Sequence, residues 1–96
     1  MPPVFEWDAH KARANLRKHG VGFEEARTVF DDPLARIFGD EDHSGPEMRE
    51  IIVGHSGSKR LLIVSFLETM IGSVRIISAR RATRKEQHDY EENVTG

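Results

Sequence analysis

The run Arg75-Ile76-Ile77-Ser78-Ala79-Arg80-Arg81 sets three guanidinium groups in a short apolar stretch, with Arg84 and Lys85 close behind. Arginine donates paired hydrogen bonds to phosphate oxygens from a fixed fork and stays charged at any working pH. Brought together, such groups grip a nucleic-acid backbone and stabilise charge that builds on phosphorus. By charge alone, the cluster fits phosphate contact and ordinary surface ion pairing equally well. Lys18 and His19 form a second candidate, because imidazole is the side chain best suited to move protons near neutrality. The plainer reading is that both close a helix, where cations oppose the negative end of its dipole. Glu68 is the lone acid between positions 51 and 85 and reads first as a counter-ion, second as a general base. Asp40, Glu41, Asp42 and His43 offer oxygen and imidazole donors, yet they lack both the EF-hand pattern and an i,i+4 histidine pair. That segment is read as a solvated loop, and neither a metal nor a cofactor is expected. The chain has no glycine-rich phosphate loop, nucleophile elbow or dinucleotide fingerprint.

These groups need elements to carry them. Residues 4–7 read as a short strand, followed by a helix from an Asp8 N-cap through Ala9, Ala12 and Leu16 to His19. Gly20 stops it in the left-handed C-terminal position, with Val21 placed to contact Leu16 across the last turn. A second helix is predicted from Phe23 to about Phe30, ended by Asp31-Asp32-Pro33. Residues 34–38 have strand composition, and 39–47 form a polar loop turning at Gly45-Pro46. Three Ile/Val-rich strands follow over 49–55, 60–68 and 73–79, joined by connections short enough to require an antiparallel meander. Thr83 and Glu86 have capping-box spacing and open a final helix reaching about Asn93. The order predicts one α+β domain over residues 1–96, with helices packed on a mostly antiparallel sheet.

Composition narrows the setting. With 96 residues and 38% apolar content, there is room for one core, of modest stability. The absence of cysteine removes disulfides, thiolate nucleophiles and Cys-ligated metals. No apolar run approaches the length of a membrane span and the N-terminus does not resemble a secretion signal, so a soluble, cytoplasmic protein without membrane partners is expected. The net charge of −2 conceals a dipolar layout. Positions 31–50 hold seven acids against two arginines, net −5, whereas positions 51–85 hold seven cations against Glu68, net +6. So local a basic region points to a phosphate-bearing partner rather than a generally basic chain.

A family pattern runs through the same residues. Phe5-Glu6-Trp7-Asp8, Lys11, Asn15, Leu16, Lys18-His19-Gly20-Val21, Phe23-Glu24-Glu25-Ala26 and Phe30-Asp31-Asp32-Pro33 are followed by Asp42-His43-Ser44, Arg49, Gly54, the arginine run through Thr83, Glu86 and Tyr90. In order and in spacing, over nearly the whole chain, this resembles the BrnT toxins. The resemblance implies a RelE/ParE-like fold and a ribonuclease toxin of a bacterial type II toxin–antitoxin pair, cleaving RNA without a metal and arresting translation. It implies a BrnA-like ribbon-helix-helix antitoxin as partner, operator DNA bound only through the toxin–antitoxin complex, and a dimer within that complex. Carried onto this chain, Arg80 becomes the phosphate-stabilising residue, Arg75 supports it, and Lys18, His19 and Glu68 are the acid/base candidates, with Arg60 and Arg81 binding RNA. Two alternatives stand beside it: a ParE-like or degenerate member that binds a protein without cleaving RNA, and a plain nucleic-acid-binding module.

Overall fold

The computed structural model describes residues 4–40 and 48–95. Its elements are β1 (Phe5–Glu6), α1 (Ala9–His19), α2 (Phe23–Thr28), a 3₁₀ turn (Val29–Asp31), β2 (Arg36–Gly39), β3 (Arg49–His55), β4 (Leu61–Glu68), β5 (Val74–Arg81) and α3 (Arg84–Thr95). The strands form one sheet in the order β1-β5-β4-β3-β2. β2 to β5 run antiparallel to their neighbours, whereas β1 pairs in parallel with Val74 and Arg75 of β5. This is the predicted α+β arrangement.

One sheet face is buried under α1 and α2. Leu62, Val64 and Phe66 alternate along β4, with Ile52 on β3 and Val74, Ile76 and Ala79 on β5 behind Val21, Phe23, Ala26 and Val29. Alternation at period two places every second side chain of a strand on the same face. Phe5, Phe30 and Phe66 extend the core as an edge-to-face series with centroids 5.0 Å apart at each step. At Gly54 a Cβ would lie 2.8 Å from Ala35 Cβ and 3.0 Å from Asp32 Oδ2, so the bare backbone lets the Asp32 turn close on β3.

Both helix signals act as read. Asp8 accepts hydrogen bonds from the His10 and Lys11 amides, and Gly20, at φ 69°, donates its amide to the Leu16 carbonyl. The inward face of α1 includes a polar residue that the apolar spacing did not single out. Leu16 is 54% exposed, and Asn15 is the buried residue. Its amide nitrogen donates to the Val21 and Ala79 carbonyls, while its oxygen accepts from the Ala79 amide. The side chain thus stands in for a strand partner on the outer edge of β5, which β1 leaves unpaired after Arg75. Phe23 begins a helix that ends sooner than read, at Thr28, where the 3₁₀ turn takes over. The loop turn at Gly45-Pro46 lies outside the described residues.

β5 exceeds its predicted span and takes in both Arg80 and Arg81. Against β4, Ile76 stands opposite Phe66 but Ser78 stands opposite Ser65, so Ile77 is an extra residue, a β-bulge. Ile76 and Ala79, three positions apart, therefore both reach the core. Their neighbours Arg75, Ser78 and Arg80 all project from the opposite face. Without that insertion, Arg75 and Arg80 would have opposite parity and lie on opposite sides of the sheet.

Candidate nucleic-acid interface

The face away from α1 and α2 carries Arg75, Ser78 and Arg80 on β5 beside Ser65 on β4. α3 crosses it over β2 to β4, where Glu86, Asp89, Tyr90 and Asn93 stand above Arg36, Phe38, Val53 and Ile63. Tyr90 is the helix's buried anchor, donating its hydroxyl to the Leu34 carbonyl and meeting the His55 ring edge-on at 5.7 Å. Burial and the nearby Asp32 carboxylate raise the pKa of that phenol.

Arg80 makes a two-pronged pair with Glu86, Nη1 to Oε1 at 2.8 Å and Nη2 to Oε2 at 2.9 Å. The same glutamate closes the capping box: Thr83 N donates to Glu86 Oε1 and Glu86 N donates to the Thr83 hydroxyl. Hydrogen bonding from Arg80 is the main reason its carboxyl is pulled down to about 2; bonds from Thr83 add to this and partial burial opposes it. Arg80 is consequently aimed, with its Nε–H and one Nη2 hydrogen outside this pair. Arg75 is held through Nε and Nη2 by Glu6, which also accepts from the Ser73 hydroxyl. Bonds from Ser73 and then Arg75 lower the Glu6 pKa. Half of the Arg75 side chain remains exposed.

The other expected residues fall elsewhere. Arg60 lies on the helix side, where its guanidinium pairs with Glu25 and donates to the Gly20 carbonyl. Ser56 donates to the same glutamate, so Arg60 clamps the ends of α1 and α2 to the β3–β4 turn rather than facing Arg80. Arg81, exposed at the end of β5, also faces the helices and contributes to lowering the Glu25 pKa, which is set mainly by Arg60. Glu68 stands opposite Val74, six residues along β5 from Arg80, or about 20 Å at the strand rise. The two therefore cannot share one phosphate. Lys18 and His19 border a groove with Ile77 and Ser78, just across the free edge of β5 from the arginine face. Sequence reasoning missed Glu6 and the Asp32–His55–Tyr90 cluster: Asp32 accepts from the His55 and Leu34 amides and lies 3.9 Å from His55 Nδ1. Glu86 was recognised as a cap but not as the partner of Arg80. The metal candidates Glu41, Asp42 and His43 lie outside the described residues, with Asp40 just beyond β2.

A mostly antiparallel five-stranded sheet, with two helices on one face and a third crossing the other, defines an α+β domain of the RelE/ParE-like class. Residues 7–86 match the family described as "Ribonuclease toxin, BrnT, of type II toxin-antitoxin system", and the chain belongs to that family. The crystal structure of the Brucella abortus ribonuclease toxin BrnT has the same fold, with a TM-score of 0.66 at 21% identity, covering 86% of this chain and 100% of that one. No curated protein matches the chain. No helix among the described residues is long and apolar enough to cross a membrane.

Proposed function

We propose that the protein is a metal-independent endoribonuclease whose reacting phosphate sits on the β5 side of the open sheet face. The observation that carries this reading is the Ile77 bulge, which turns Arg75, Ser78 and Arg80 to one side. In the reaction, the ribose 2′-OH attacks the adjacent phosphorus, the P–O5′ bond breaks, and the products are a 2′,3′-cyclic phosphate and a 5′-hydroxyl. A base removes the 2′ proton and an acid protonates the departing 5′ oxygen. Arg80, oriented by Glu86, donates to the phosphoryl oxygens as negative charge grows there, and Arg75 supports the neighbouring phosphate. His19, next to Ser78 across the strand edge, is the proton-transfer group. The partner is a BrnA-like ribbon-helix-helix antitoxin, and operator DNA is bound only by the complex. An adjacent reading frame encoding such an antitoxin would support this pairing.

In cleavage assays with a chelator present, Arg80→Ala should lower kcat by about 10²-fold, the usual cost of removing one preorganised donor to a developing oxyanion. His19→Gln should lower the rate of cleavage while leaving RNA binding in place. Full activity in Arg80→Ala would overturn the site. A second reading, a protein-binding member that does not cleave RNA, draws on the carboxylates already paired with Arg75 and Arg80. Growth arrest with intact transcripts would favour it.

A further inference from the structure

Two hollows meet along the seam between α1 and the free edge of β5, sharing Lys11 and Ile77. One is lined by Glu6, Trp7, Asp8, Lys11, Arg75 and Ile77. Its continuation is lined by Lys11, Asn15, Lys18, His19, Ile77 and Ser78. Ser78 projects with Arg80, so the groove opens at that point onto the arginine-bearing face. We infer that this seam is a track for single-stranded RNA, gripping the backbone that flanks the phosphate held at Arg80. The inference rests on the ribonuclease reading and extends the substrate beyond the cleaved bond.

The groove offers phosphate what the arginines of the open face offer less freely. Arg75 and Arg80 each carry a glutamate. Lys18 has no ion-pair partner among the described residues, and it stands two helical turns from Lys11, about 10.5 Å along the axis, on the same side of α1. A strand laid along the seam meets both ammonium groups. The acids near the groove lie at its far end and are engaged: Glu6 accepts from Arg75 and Ser73, and Asp8 caps α1. From Lys11 to Ser78 the lining contains no carboxylate. Its one large apolar side chain is Ile77, and it has no Trp, Tyr or Phe of the kind around which protein interfaces concentrate their binding energy. Asn15 occupies the backbone groups of Ala79, so the edge there is closed to an added strand. What remains is an electrostatic channel with the indole of Trp7 at one end, the arrangement that sequence-tolerant single-strand binding uses.

The test uses a single-stranded RNA dodecamer, 2′-O-methylated throughout so that it cannot be cut, with the fluorescence of Trp7, the chain's one tryptophan, as reporter. Lys11→Gln/Lys18→Gln should weaken binding about tenfold and flatten the log K against log salt slope by about 1.4, from roughly 0.7 per lost single-strand phosphate contact. A charge-matched control, Arg84→Gln/Lys85→Gln on the first turn of α3, should leave the slope near wild type. Equal losses in both doubles, or no loss in the first, overturn the track. Displacement of the dodecamer by polyglutamate at matched charge concentration overturns it in favour of an acidic protein segment. If wild-type protein binds the modified dodecamer as expected but leaves the unmodified one uncut, the ribonuclease reading fails while the track stands.

Discussion

Glu86 serves two structures with one carboxylate: it fixes the first turn of α3 through Thr83 and fixes the guanidinium of Arg80. Only the first role was legible in the sequence, because a capping box is a contact at spacing three, whereas the reach back to β5 depends on where the strand ends. Nonlocal pairing likewise hid the glutamates on Arg75 and Arg60, so charge runs showed which arginines cluster without showing which are already neutralised. The Arg80–Glu86 pair has a defined pH signature. The Glu86 carboxyl falls from 4.5 to about 2, chiefly through hydrogen bonds from Arg80, so its depressed pKa stabilises the fold above 4.5 and that contribution is lost as pH drops through 2. Glu86→Gln keeps a capping side chain while removing the ion pair. Because both partners are partly solvated, the expected loss is about 1 kcal/mol, the upper range for exposed pairs. For a domain of this size, that lowers Tm by about 4–8 °C. The gap between wild type and variant should be full at neutral pH and shrink as the pH is lowered from 4.5 towards 2. A gap independent of pH would show that the pair contributes through packing instead.

At the scale of elements, hydrophobic period found the strands closely: β3 occupies the predicted residues, and the helix starts at Asp8 and Thr83 follow from side chains that bond their own backbone. The bulge was not legible. A run such as Ile76-Ile77-Ser78 carries no mark of which residue is extra, and only pairing with β4 decides it. The same limit governed α1. Apolar spacing ran the helix through Ala9, Ala12 and Leu16 without singling out Asn15, yet Asn15 faces the sheet because the open edge of β5 needs a donor and an acceptor at Ala79 more than it needs another methyl group. Asn15→Leu therefore fills the space with the wrong chemistry. It strips hydrogen bonds from the Ala79 amide and from the Ala79 and Val21 carbonyls, all at a buried joint. With each unsatisfied buried group costing about 1–3 kcal/mol, the variant should lose about 3 kcal/mol or more in urea unfolding. A variant as stable as wild type would mean that water reaches the edge and replaces the amide.

Across the whole molecule, charge and stability are both divided. The basic stretch from 51 to 85 builds the sheet's centre and the arginine face, while the net charge of the chain stays at −2, so any attraction for RNA is local and short-ranged. Stability follows the core, which joins α1, α2 and strands β3 to β5 into one packed unit. α3 stands outside it. Among the described residues its attachments include the Tyr90 hydroxyl on Leu34, the Tyr90 ring on His55, Glu86 on Arg80 and the Asn93 carbonyl on Arg36, and Tyr90 is its one buried side chain. A helix held by few apolar contacts opens at a lower free energy than the sheet beneath it. Native-state hydrogen exchange should therefore show β4 amides exchanging only through global unfolding, with α3 amides exchanging at a lower free energy and before the core opens. Tyr90→Ala should lower α3 protection further and leave the ordering intact. If α3 and β4 instead exchange at one common free energy, the helix is part of the cooperative core, and the arginine face it crosses is as rigid as the sheet itself.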